Sequence, residues 1–213
     1  MKSHSVLMGL FLLVIPVFAF GADSPQEVLE RVHKKYDQLD DGEIKFTQKV
    51  TFALAKVEQE LSGTLFFKKT NKYRVEFEGQ LVVTNGETVW SYSQANNQVL
   101  IDRFKADDRS MSPDRILTAA PEDYSATLIG REKAAHGEAI ILKLVPRSTT
   151  SLVKSMKLWV NDADWLIHRV EIVDQHGKET SYQVISFKTN IGISDSRFLY
   201  AVPAGVEVVD LRD

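Results

Sequence analysis

Between residues 46 and 92 the chain reads Phe46-Thr47-Gln48-Lys49, Gly63-Thr64-Leu65-Phe66-Phe67, Tyr73-Arg74-Val75-Glu76-Phe77 and Asn85-Gly86-Glu87-Thr88-Val89-Trp90-Ser91-Tyr92. The period is two. Ile44, Phe46, Gln48, Val50 and Phe52 alternate with Lys45, Thr47, Lys49 and Thr51, the pattern of a strand with one wet face. Leu61, Gly63, Leu65 and Phe67 form a second set, and Tyr73, Val75 and Phe77, set against Lys72, Arg74, Glu76 and Glu78, a third. Asn85-Gly86 marks a tight hairpin between Leu81-Val82-Val83 and Val89-Trp90. This is an antiparallel meander with an aromatic-rich apolar face and no catalytic grouping beside it, which points to a binding surface or cavity for an apolar ligand.

Outward from this stretch, the N-terminal side reads as a helix. Ser24 is placed to cap it, Pro25 to occupy its first position and Glu27 to complete a capping box. Val28, Leu29, Val32, Tyr36 and Leu39 fall on one face, and Asp41-Gly42 is expected to end the helix. On the C-terminal side the polar loop Arg103 to Ser112 interrupts the meander. A second short helix is expected there, with Ser112 as cap, Pro113 at its start, Ile116 and Leu117 as its apolar side and Ala119-Ala120-Pro121 as its stop. Strands then resume over 124–129, 139–145, 152–160, 165–173, 180–187 and 198–202, separated by turns at His136-Gly137, Asn161-Asp162-Ala163-Asp164, Asp174-Gln175-His176-Gly177 and Asn190-Ile191-Gly192. About eleven strands in sequence order pair with their neighbours to give an up-and-down barrel or a strongly curved sheet. A barrel of eight strands is filled by its own side chains, so eleven leave a hollow. The expected fold is therefore mainly β with short α-helices: an unclosed antiparallel β-barrel whose helices form a lid over an apolar cavity.

Residues 1–21 read as a secretory signal peptide. Met1-Lys2 is basic, Val6 to Phe20 is apolar, and Ala19-Phe20-Gly21 is a small-x-small site, with cleavage before Ala22. Residues 22–213 are then expected to form a single domain. The chain contains no cysteine, so the exported protein is expected to rely on its core without disulfides and to lack a lipidated N-terminus, which places it free in the periplasm. Loss of Lys2 with the signal leaves 25 basic against 29 acidic residues, a net −4, which argues against nucleic acid as a partner. No cofactor is implied. Of the five histidines, His4 leaves with the signal, His33 sits on the first helix, His136 and His176 in turns and His168 in a strand, none spaced as a metal pair. His168 reads as a satisfied sheet residue, and Asp162 and Asp164 as turn formers without the further ligands of a calcium loop. No nucleophile elbow, phosphate loop or metalloprotease motif appears, and no enzymatic activity is expected.

Phe46-Thr47-Gln48-Lys49, Gly63-x-Leu65 followed by Lys68-Lys69, Tyr73-Arg74, Asn85-Gly86 with Trp90-x-Tyr92, and Phe198-x-Tyr200-x-x-Pro203-x-Gly205-Val206 together resemble the periplasmic outer-membrane lipoprotein carrier family, LolA. The resemblance implies an unclosed antiparallel barrel covered by helices. It also implies a monomeric chaperone that accepts acylated lipoproteins from an inner-membrane ABC transporter and passes them to an outer-membrane receptor lipoprotein. That receptor carries a lipidated cysteine; this chain, having none, resembles the carrier. Phe46, Leu65, Phe67, Tyr73, Val75, Phe77, Trp90 and Tyr92 are then expected to line the cavity, with Ile116 and Leu117 beneath the lid, although an inward apolar face serves equally as packed core. Where many family members have Arg-Pro, the arginine bonding lid carbonyls, this chain has Lys69-Thr70. A lysine is a point charge rather than a planar fork, so Lys69 is expected to hold the lid less rigidly, or simply to be a solvated strand-end residue. Two other readings fit the same half-barrel: a periplasmic lipid-sensing or regulatory domain, and a carrier for another lipid.

Overall fold

The computed structural model describes residues 24–52, 57–105, 121–134 and 137–212. The expected signal peptide, the expected second helix with Ile116 and Leu117, and His136 lie outside the described residues. Helix α1 (Pro25–Asp37) begins as its sequence dictates: Ser24 Oγ accepts the Glu27 N–H at 3.2 Å, and the Glu27 carboxylate accepts the Ser24 N–H at 2.7 Å. These bonds, the backbone one first, hold the Glu27 carboxyl below its ordinary range. The helix ends earlier than expected. The N–H of Gln38 turns back to the Lys35 and Tyr36 carbonyls, so Asp41-Gly42 does not terminate the helix but opens the first strand.

The strands are β1 (Asp41–Phe52), β2 (Val57–Lys68), β3 (Lys72–Phe77), β4 (Gln80–Asn85), β5 (Thr88–Ser93), β6 (Gln98–Arg103), β7 (Tyr124–Lys133), β8 (Glu138–Pro146), β9 (Val153–Asn161), β10 (Ile167–Asp174), β11 (Glu179–Thr189) and β12 (Glu207–Asp210). They form one sheet in the order β12-β6-β5-β4-β3-β2-β1-β11-β10-β9-β8-β7. Two meanders, β1 to β6 and β7 to β11, are thus joined by the antiparallel pairing of β1 with β11. Neighbour pairing holds everywhere along an eleven-strand circuit except between β6 and β7, which stand towards opposite ends of the sheet. The barrel is unclosed at that point.

Two strand assignments need correction. Residues 198–202 are not a strand: Phe198 closes a 3-10 helix (Asp195–Phe198) and is wholly buried, so its aromatic ring serves as an anchor rather than as a pleat residue. The C-terminal strand is instead β12, which pairs parallel with β6. Strand β10 begins at Ile167 rather than 165 because Trp165 turns the chain at a φ of +60°, under the Arg31 guanidinium 4.9 Å away.

The sheet carries two cores. On its inner face α1 places Val28, Leu29, Val32 and Tyr36 against Ile44, Phe46, Leu65, Tyr73 and Val75 of the first meander and Leu142, Leu158, Val170 and Ile172 of the second. On its outer face Phe66, Val83, Val99 and Ile101 are buried, the 3-10 helix that Phe198 closes lies against β3 and β4, and the Arg197 guanidinium sits 4.1 Å over the Phe66 ring. The C-terminal segment is held at its start by Asp41, whose buried carboxylate accepts the backbone N–H groups of Ile191, Gly192 and Ile193 at 2.7, 3.2 and 2.8 Å.

Candidate functional site: the aromatic inner wall

Gly63 shapes the wall. A Cβ built there would lie 2.7 Å from the Phe46 ring and 3.0 Å from that of Phe77. A glycine within a strand lets other groups approach closely, and here Phe46 and Phe77 meet edge to face over it at 5.6 Å. Phe46 also meets Tyr182 at 5.8 Å, Phe67 meets Phe187 at 6.0 Å, and Phe187 meets Tyr36 of α1 at 6.1 Å. Two sets of rings result, Phe46 with Phe77 and Tyr182, and Phe187 with Phe67 and Tyr36, both within the inner core, and all but the tilted Tyr36–Phe187 pair meet edge to face as their quadrupoles favour.

Its polar atoms are satisfied within the wall. The Tyr36 hydroxyl accepts the Ile167 N–H at 3.1 Å, and Gln48 donates to the Tyr182 hydroxyl at 3.1 Å. Burial pushes both phenols above their ordinary range, more than these hydrogen bonds offset. Both stay neutral at physiological pH, as an apolar wall requires.

Six of the candidate lining residues come together here. Phe46, Leu65, Tyr73 and Val75 are buried beneath α1, and Phe67 and Phe77 are partly buried beside them. Trp90 and Tyr92 do not join them. Register pairs Tyr73 with Thr84 and Thr84 with Val89, so Val89 faces inward and its neighbour Trp90 outward, opposite Val83 and Ile101. Tyr92 lies on the same outer face, 6.3 Å from Tyr200 of the C-terminal segment. Both belong to the outer core, because a pleated strand cannot send adjacent residues to one side.

Lys69 is exposed, and its ammonium pairs with Asp40 at 2.7 Å while its N–H donates to the Asp40 carbonyl at 2.9 Å. It fastens the β2–β3 turn to the connection leaving α1. Lys68 and Lys72 both reach Asp195, at 2.6 and 2.8 Å, and hold its carboxyl down at about 2. His168 is not the satisfied residue its sequence suggests: its Nε2 has no hydrogen-bond partner and lies 3.8 Å from the Asp164 carboxylate. Asp162 and Asp164 act as turn formers, accepting the N–H groups of Glu138 and Leu166. Among the described residues no three histidine, aspartate or glutamate side chains gather as metal ligands, and no helix is long and apolar enough to cross a membrane.

Among the described residues, two cavities flank the wall. One of about 240 Å³ lies below the end of α1, floored by Tyr36, Leu39, Phe67 and Tyr73. The other, of about 310 Å³, lies against β5 and β6. Tyr36, Tyr182 and Phe187 join the wall although none is among the expected lining residues. Period-two alternation marks Tyr182 and Phe187 only as strand residues, and nothing local marks their neighbours across β1.

An open twelve-strand sheet wrapped about a helix, with an aromatic inner wall, is the framework of a lipoprotein-carrier fold. The family model for the outer membrane lipoprotein carrier protein LolA matches residues 37–201, and the chain belongs to that family. It is 26% identical to an outer-membrane lipoprotein carrier protein of Histophilus somni strain 2336, covering 100% of this chain and 99% of the relative. It is likewise 26% identical to a carrier of the same description from Sodalis glossinidius, covering both chains completely. In fold it is similar to an uncharacterized conserved protein from Thermus thermophilus, with a TM-score of 0.58 at 21% identity over 87% of this chain and 98% of the other.

Proposed function

We propose that residues 1–21 direct export and that the remaining domain, 22–213, is a periplasmic carrier. It binds the acyl chains of lipoproteins released by an inner-membrane ABC transporter and delivers them to an outer-membrane receptor lipoprotein. The observation that carries this reading is the aromatic wall built around Gly63, where rings of two meanders meet beneath a single helix. Each buried methylene is worth about 0.8 kcal/mol, so a chain of roughly sixteen carbons costs on the order of 12 kcal/mol to expose. A wall that is already packed against α1 recovers less than this, because the lipid must replace existing contacts. That partial cancellation suits a carrier, which must release what it binds.

The reading is tested by incubating the purified protein with spheroplasts and identifying what it removes by mass spectrometry. Acylated lipoproteins in the soluble complex are expected; a complex with free lipid alone, or none, rejects it. Lys69 is assigned a weak fastening role, since exposed ion pairs contribute at most about 1 kcal/mol. Lys69→Ala is expected to speed lipoprotein release measurably while leaving stability within about 0.5 kcal/mol of wild type. Unchanged loading and release would remove Lys69 from the mechanism.

A further inference from the structure

The inner face changes character along the sheet. From β1 to β3 it is apolar. Beyond β4 the register sets Val82, Ser91 and Leu100 in one row and Thr84, Val89 and Asp102 in the next, so hydroxyl and carboxylate groups now alternate with aliphatic ones. The 310 Å³ cavity lies here. Tyr73, Val89, Leu100 and Phe104 form its apolar floor, and Ser91 and Asp102 supply its inward polar atoms. Phe104 meets Tyr73 edge to face at 6.5 Å and packs against the main core, so the floor is continuous with the aromatic wall.

Asp102 is half-buried. One of its oxygens accepts the Arg103 N–H at 2.7 Å, and no cationic side chain among the described residues pairs with it. Arg103, Lys105 and Leu211 complete the lining; the two basic residues are exposed, and long basic side chains keep their charge in water while their stems lie along apolar surface. The partly desolvated group facing the cavity is thus an acceptor with capacity to spare. It favours a hydrogen-bond donor and disfavours a second anion, whose charge it would meet in a medium less polar than water.

We infer that this cavity is a head-group subsite: it holds the polar head of an acylated ligand whose chain runs along the aromatic wall. It selects neutral heads that donate hydrogen bonds, hydroxyl or amide N–H, over ionised carboxylate heads. Asp102 is the specificity-determining residue, with Ser91 as its hydroxyl partner. The inference rests on the carrier reading and deepens it by naming the chemistry next to the acyl chain.

The test is displacement of a neutral, environment-sensitive naphthylamine probe from the whole protein at pH 8. The competitors are 1-dodecanoylglycerol and dodecanoate, which share a chain and differ in the head. The glycerol ester is expected to compete about tenfold better, the scale of one charge-assisted hydrogen bond. In Asp102→Asn, which keeps an oxygen for the Arg103 N–H, the ratio is expected to fall to within about twofold, through a loss for the ester together with a gain for dodecanoate. Ser91→Ala is expected to weaken the ester alone. The surface control Glu60→Gln is expected to retain the wild-type ratio. An Asp102→Asn ratio equal to wild type, or a wild-type preference for dodecanoate, overturns the subsite while leaving the carrier reading in place. Failure of both competitors to displace the probe overturns both readings.

Discussion

Asp41 and Gly63 do more than their small side chains suggest, and each does it through backbone or van der Waals geometry. The buried Asp41 carboxylate accepts three amide hydrogens from residues 191 to 193, while its own carbonyl accepts the Asn190 N–H at 2.7 Å. Hydrogen bonds to a charged group contribute about 1.5–3 kcal/mol each, and those lost together are not additive. Asp41→Ala is expected to destabilise the protein by about 3 kcal/mol, read as a lower urea midpoint at unchanged slope. Gly63→Ala is expected to cost about 1–3 kcal/mol by forcing Phe46 and Phe77 apart, and to weaken probe binding at the wall in the same variant. A stable Gly63→Ala protein with wild-type binding would show that the close ring contact is incidental. Gly63 could be found from the sequence, since a glycine in an alternating strand signals close approach. Asp41 could not, because its partners lie 150 residues and more away.

At the scale of elements, local signals suffice where the deciding interactions are local. The capping box of α1, the Asn85-Gly86 hairpin and the alternation of β1 to β3 all appear where the residues place them. At the hairpin the Asn85 side chain accepts the Glu87 and Thr88 N–H groups, and Gly86 sits at a φ of +94° that a side chain rarely adopts. The C-terminal segment behaves otherwise. Its motif residues Phe198 and Tyr200 are present, but they cover the outer face as an irregular strap instead of adding a strand in sequence order. Lys68 and Lys72 fasten that strap through Asp195. Because the folded carboxyl titrates at about 2 against an ordinary 3.8, this stabilisation is complete above the ordinary value and disappears as the pH falls through about 2. Asp195→Asn is therefore expected to lower the denaturant midpoint at pH 6, with the gap from wild type shrinking steadily as the pH is taken down to about 2. A gap that stays constant over that range would place the effect of the substitution elsewhere.

For the whole molecule, the inner core decides how the two meanders behave together. Residues from α1, β1 to β3 and β8 to β10 share one buried cluster, and β1 is hydrogen-bonded along its length to both β2 and β11. Unfolding is expected to be a single cooperative event despite the open barrel. Trp90 in the first meander and Trp165 before β10 can report each half separately. Single-tryptophan variants retaining either one are expected to give coincident urea transitions, and two resolved midpoints would show that the meanders are independent units. The amino-acid sequence by itself determined the capped helix, the strand period, the aromatic load of the first meander and the family likeness, because each depends on residues within a few positions of one another or on their order along the chain. The tertiary structure alone decided that the barrel opens between β6 and β7, that β1 pairs with β11, and that Trp90 and Tyr92 face outward. Val82-Val83 and Val89-Trp90 are each apolar at adjacent positions, so alternation could not assign their faces. Register settled them, and register is a property of paired strands rather than of either strand alone.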